Sequence, residues 1–257
     1  MHGLKNILTI SILVILVSGS CKNTSRKDLS LTVKEYEAKG MPDINAPWPE
    51  DKLMKAHVAL AGVRTKNFLQ LPRRDSRKSG AVFSRMLSKE NLSFLDDPSK
   101  SLYDKAFEIQ TTGPFINEVG RMYTDNFKEE QYYSEELIDI YVFELYVRKR
   151  MLDLADQIMN SKEPEVMAMQ SGRPAIVRGY VNLVGYLIRK QDNTKAFSAR
   201  QLKKLGKEVA NSIKENIKYL DSENKKEISA EIEQLTQKSK TAPVSKELKK
   251  VLMVLKE

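Results

Sequence analysis

From residue 49 onward, apolar residues recur at spacings of three and four, and no segment alternates with period two, so the chain predicts helices almost throughout. Pro49-Glu50-Asp51 is a good first turn, because proline sits where no N–H is needed and the acidic side chains face the positive end of the helix dipole. Leu53, Ala56, Leu60 and Val63 then mark one buried face. Short amphipathic pieces are predicted at about 80–90, 99–110 and 114–125, separated by Pro98 and by Gly113-Pro114. The cleanest pattern comes late, where Leu202, Leu205, Val209, Ile213, Ile217 and Leu220 follow a Ser198-x-x-Gln201 capping box. Ile228, Ile232 and Leu235 continue it more thinly, and a last unit opens at Pro243-Val244-Ser245 with Leu248, Val251, Leu252 and Leu255 on one face. No glycine or proline lies between Leu220 and Ile228, so the pattern leaves open whether the helix breaks there.

Two segments, 135–160 and 174–190, are apolar on nearly every face and are therefore predicted to be buried on most sides. They form the expected centre of the fold, with Gly179 and Gly185 permitting close approach. A short helix near Pro164 to Gln170 is ended by Ser171-Gly172, after which Pro174 starts the next one. The expected fold class is all-α, an irregular multi-helix bundle or helical-hairpin array behind a flexible N-terminal tether. Its parts are a signal segment at 1–20, a tether at 21–48, a helical core at 49–195 and amphipathic helices at 196–257 packed on that core.

The tether is predicted because residues 22–47 are polar without a sustained period and end in Pro42, Pro47 and Pro49, which favour extended backbone. Trp48, the single tryptophan, reads as the lid of its own core in preference to a docking anchor for a partner. Upstream, a polar start with Lys5 leads into an apolar run from Ile7 to Val17 and the small residues Ser18, Gly19 and Ser20. Eleven helical residues cover only about 16 Å, roughly half a bilayer core, so the run reads as an export signal and not a span.

Cys21, the only cysteine, follows directly. The first 21 residues resemble the bacterial lipoprotein signal, and the resemblance implies that Cys21 carries a covalent lipid and becomes the first residue of the mature protein. With Lys22-Asn23-Thr24 supplying no acidic residue after the cysteine, it also implies delivery to the outer membrane, facing the periplasm. Ser18 and Ser20 also satisfy the small-x-small rule for ordinary signal cleavage, which would release a soluble protein. Either route leaves a mature domain with no disulfide to support it.

Charge is unevenly distributed within a net +9. Residues 60–91 hold eight basic and two acidic side chains, whereas 96–165 hold sixteen acidic and eight basic. An envelope protein meets anionic headgroups and polymers before it meets nucleic acid, so no nucleic-acid partner is expected, and Arg73, Arg74, Arg77 and Lys78 are candidates for anionic-surface contact. The catalytic inventory is short: His57 stands alone in the mature chain, and there is no Gly-x-Ser-x-Gly elbow or glycine-rich phosphate loop. No metal site and no cofactor beyond the lipid are expected. Glu129, Glu130, Glu135 and Glu136 match no calcium-loop spacing and read as a solvated acidic helix start.

The most informative polar residues are those set into the two apolar helices: Glu144 in the first, Arg178 and Asn182 in the second. A charge there needs a partner or costs several kcal/mol, so Glu144 and Arg178 are expected to be buried and paired across the interface, or to line a pocket with Tyr141, Tyr146, Tyr180 and Tyr186. Glu144 can also meet Arg148 one turn on. Three functions remain: a non-enzymatic scaffold or accessory subunit of an envelope assembly, with a protein partner; a ligand-binding lipoprotein with a pocket between the apolar helices; and an envelope-polymer hydrolase using a carboxylate pair. The first is favoured by the empty catalytic inventory.

Overall fold

The computed structural model describes residues 28–124, 127–238 and 246–256. Cys21 and the signal segment lie outside the described residues. The fold is all-α, with no strand among the described residues, and its helices are α1 (Val33–Glu37), α2 (Glu50–Lys66), α3 (Gly80–Met86), α4 (Leu102–Met122), α5 (Phe127–Tyr132), α6 (Ser134–Asn160), α7 (Pro164–Met167), α8 (Arg173–Lys190), α9 (Ala199–Asn216), α10 (Ser222–Lys238) and α11 (Lys246–Leu255).

The axis of the molecule is α6, and α4, α8 and α9 all pack along it. Its near-continuous apolar sequence has this cause: three helices surround it, and Leu137, Ile140, Leu145, Val147 and Leu152 are all buried. Around this centre, α2 packs on α4, α10 on α8, and α11 on both α9 and α10. The Ser198–Gln201 capping box forms as the sequence predicts, with the Ser198 N–H donating to Oε1 of Gln201 at 2.6 Å. The seam it opens, Leu202, Leu205, Val209 and Ile213, is buried.

Three expectations are corrected. First, Pro114 does not separate two helices, because α4 runs through it. The proline takes away the N–H that would reach the carbonyl of Gln110, but Gln110 is exposed to water, and Ile109, Phe115, Val119 and Met122 are buried on either side. Second, the chain from residue 28 to Trp48 is not a flexible tether. Thr32 and Glu35 form a capping box, Tyr36 donates its hydroxyl to the Gln70 carbonyl, and Leu31, Tyr36, Met41 and Trp48 belong to the core. Trp48 is fully buried, its indole N–H bonded to the Asp43 carbonyl at 2.9 Å and its backbone N–H to Oδ1 of Asn91 at 2.9 Å. Third, of the acidic start of α5 and α6 only Glu135 is solvated as expected. Glu129, Glu130 and Glu136 are buried and tie remote segments together: Glu129 binds Arg64 at 3.0 Å, Glu136 binds Arg73 at 3.2 Å, and Glu130 pairs with Lys190 and accepts from Asn193.

The break left open after Leu220 is present. A single 3-10 turn, Ile217–Tyr219, ends α9, Leu220 is extended, and the Asp221 carboxylate caps the next helix by accepting the Asn224 N–H at 2.8 Å.

Candidate functional site

The sequence places Glu144 at the middle of α6, on a face with Arg148 one turn later. Across from them, α4 presents Asn117, Gly120, Arg121 and Thr124, and α8 presents Gly179, Asn182, Leu183 and Tyr186. Together these groups line an open cleft of about 460 Å³ between the three helices. That volume falls in the range of small-molecule sites, and so does its chemistry, a largely apolar wall with a few convergent polar groups.

Glycines set the shape of the cleft at two points. A Cβ on Gly120 would lie 3.4 Å from Oε1 of Glu144, and one on Gly179 would lie 3.1 Å from Nη1 of Arg148. The carboxyl and the guanidinium therefore each lie against bare helix backbone. Gly185 has another role, since its missing Cβ points toward Arg189 and Glu231 on the α10 side and not toward α6.

Glu144 is only 8% exposed, yet no hydrogen bond reaches its carboxyl group among the described residues. Burial drives its pKa up to about 8, opposed only by the Arg148 charge. Arg148 is half-buried, and burial pulls it below the usual arginine value against the opposing pull of Glu144. Its Nη1 approaches only the Met151 sulfur, at 3.8 Å, and it makes no salt bridge among the described residues. The two groups share a face at i,i+4 spacing without bonding to each other. Beside them the Tyr141 and Tyr186 hydroxyls meet at 3.3 Å, with their rings edge to face.

The structure therefore divides the predicted site residues. Glu144 and Asn182 do line one cleft, whereas the Glu144–Arg178 pair is corrected. Arg178 lies on the outer face of α8 with 56% of its side chain exposed, bridged to Glu227 of α10. Of the four tyrosines, Tyr141 and Tyr186 line the Glu144 cleft, and Tyr180 is buried with its hydroxyl at 3.1 Å from Ser212. Tyr146 belongs to a separate cleft of about 550 Å³ between α3, α6 and α9, stacked on Phe143 and covered by Lys89. On that second rim Asp139 pairs with Lys204 and Arg74, and Lys149 with Asp153, while Glu208 and Glu215 of α9 also line it.

The basic patch also divides. Arg73 is turned inward, its guanidinium over the Tyr132 ring at 4.7 Å and its Nε on Glu136. Arg74 is held by Asp75, Glu135 and Asp139. Only Arg77 and Lys78 of the four are exposed, and Lys78 lies 3.5 Å from the Asp28 carbonyl. Half of the predicted contact surface is thus used to hold the fold together. His57 meets Phe115 edge to face. Among the described residues no group of three or more side chains is placed to hold a metal, and no helix is long and apolar enough to cross a membrane.

Arg148 and all four α4 residues of the cleft, Asn117, Gly120, Arg121 and Thr124, with Gly179 and Leu183 of α8, are residues that sequence reasoning did not assign to a site. No family model, curated protein or solved structure matches the chain, so the cleft is interpreted from its own chemistry.

Proposed function

We propose that this chain is an exported protein, anchored by a lipid on Cys21 to the outer membrane on its periplasmic side, which works by binding a small ligand and not by catalysis. In that role it is the ligand-holding accessory subunit of an envelope assembly. The observation that carries the reading is Glu144, a buried carboxyl without a hydrogen bond that faces an open cleft. Burial in the cleft wall strips the carboxyl of much of its hydration, and a ligand able to bond to it would offset that loss. A purely structural role for the α6–α8 interface would instead have packed an apolar residue at 144.

Catalysis by a carboxylate pair is less well supported, because Glu144 is the single carboxyl lining this cleft among the described residues. The test is a fragment screen on the full chain in detergent micelles, read by two-dimensional NMR. Ligands are expected to shift the amides of Gly120, Gly179 and Asn182 together. A screen in which no compound moves these three would overturn the binding role.

A further inference from the structure

Resting on the reading of the cleft as a binding site, its chemistry narrows the ligand to one class. We propose that the cleft binds an organic carboxylate, gripped by the Arg148 guanidinium and accepting a hydrogen bond from the carboxyl group of Glu144, with its apolar body against Tyr141, Leu183 and Tyr186. Three observations lead to this choice.

Charge comes first. Among the described residues the lining holds two guanidinium groups, Arg121 and Arg148, against one carboxyl. Arg121 is engaged by Glu118 at 2.8 Å on the exposed rim, so Arg148 is the cation within the cleft, and it has no carboxylate partner among the described residues. A guanidinium presents a planar fork of donors that matches a carboxylate bidentately, which a spherical anion or an amine does not.

Hydrogen-bond polarity comes second. With a pKa near 8, Glu144 is about nine-tenths protonated at pH 7 and is a donor there, so it complements an acceptor oxygen. The side-chain amides of Asn117 and Asn182 complete a rim able to donate, while the Thr124 hydroxyl donates to the Gly120 carbonyl. Among the described residues, the ionisable groups lining the cleft with Glu144 are Arg121 on α4, Tyr141 and Arg148 on α6, and Tyr186 on α8.

Shape comes third. Arg148 and Glu144 lie one helical turn apart, each backed by a glycine and neither bonded to the other. A carboxylate set between them can satisfy both at once. The remaining wall is aromatic and aliphatic, which suits a flat or short apolar body better than inorganic phosphate.

The proposal is tested by calorimetry and NMR titration of the full chain with benzoate and phenylacetate, using benzylammonium and inorganic phosphate as contrasting probes. The aromatic carboxylates should bind and shift the Gly179 and Asn182 amides, while the other two should not. Because binding selects protonated Glu144, about half a proton should be taken up per benzoate bound at pH 8, seen as a dependence of the heat on buffer ionisation. Glu144→Gln has no carboxyl to titrate, so any benzoate binding it retains should proceed without proton uptake. Arg148→Met should weaken benzoate at least tenfold, with a circular dichroism spectrum like that of the wild type confirming the fold. Preference for benzylammonium or phosphate, or proton release on binding, would overturn the carboxylate assignment. If the carboxylates fail while other fragments move the same amides, the ligand class falls and the binding role stands; if nothing moves them, both fall.

Discussion

Gly179 of α8 and Arg148 of α6 meet so closely that a Cβ on the glycine would lie 3.1 Å from Nη1 of the arginine. The contact is with the far end of a flexible side chain, so it can be relieved by moving the guanidinium. Alanine also gains up to ~1 kcal/mol of helix propensity over glycine. Gly179→Ala is therefore expected to leave thermal stability within about 1 kcal/mol of the wild type while pushing Arg148 into the cleft and weakening carboxylate binding. Loss of stability without loss of binding would show that the glycine serves packing alone.

Glu144 makes stability depend on pH. Its pKa rises on folding from 4.5 to about 8, so the folded state holds a proton that the unfolded state releases between those values. Stability is full below pH 4.5 and falls as pH rises through about 8, by roughly 5 kcal/mol at ~1.4 kcal/mol per unit. Glu144→Gln should remove that component. Urea denaturation at pH 5 and pH 8.5 checks it: the wild type should lose markedly more stability than the variant across the interval.

The two arginines singled out by sequence should behave oppositely. Arg178 is exposed and its bridge to Glu227 lies at the surface, so Arg178→Ala should cost about 0.5 kcal/mol or less. Arg73→Ala strands Glu136, which is 2% exposed, and should cost ~3 kcal/mol or more. Melting curves of the two variants side by side decide between these roles.

Trp48 and Tyr36 place residues 28–48 inside the cooperative unit. Trp48→Ala is expected to destabilise the protein by ~3–5 kcal/mol, whereas a tether residue would be neutral. Cys21→Ala should release the protein from the membrane fraction, and retention of that variant there would remove the lipid anchor from the account.

How much of this could be read from the chain varied with how local the cause is. The α9 seam and its capping box are fixed by neighbouring residues and were readable in full. Equally local signals stand at Thr32–Glu35 and Asp221, and Leu31 and Tyr36 flank the first at the spacing of a hydrophobic staple. The outward face of Arg178 was also legible, since Arg178 and Arg189 lie about three turns apart on one side of α8, where both are exposed and bridged to α10. The site itself was less accessible. That Glu144 lies buried and unbonded depends on how α4 and α8 are set against α6, which no short-range pattern encodes. The pairing of Arg73 and Arg74 with the start of α6 is likewise a contact across some sixty residues.

The central claim is that Glu144 is a buried, unbonded carboxyl facing a binding cleft, and the most direct measurement is its own titration. Carboxyl carbon-13 NMR of the full chain, with Glu144 assigned by difference against Glu144→Gln, should give a midpoint near pH 8 that moves higher when benzoate is bound. A midpoint near 4.5, unmoved by benzoate, would contradict the account.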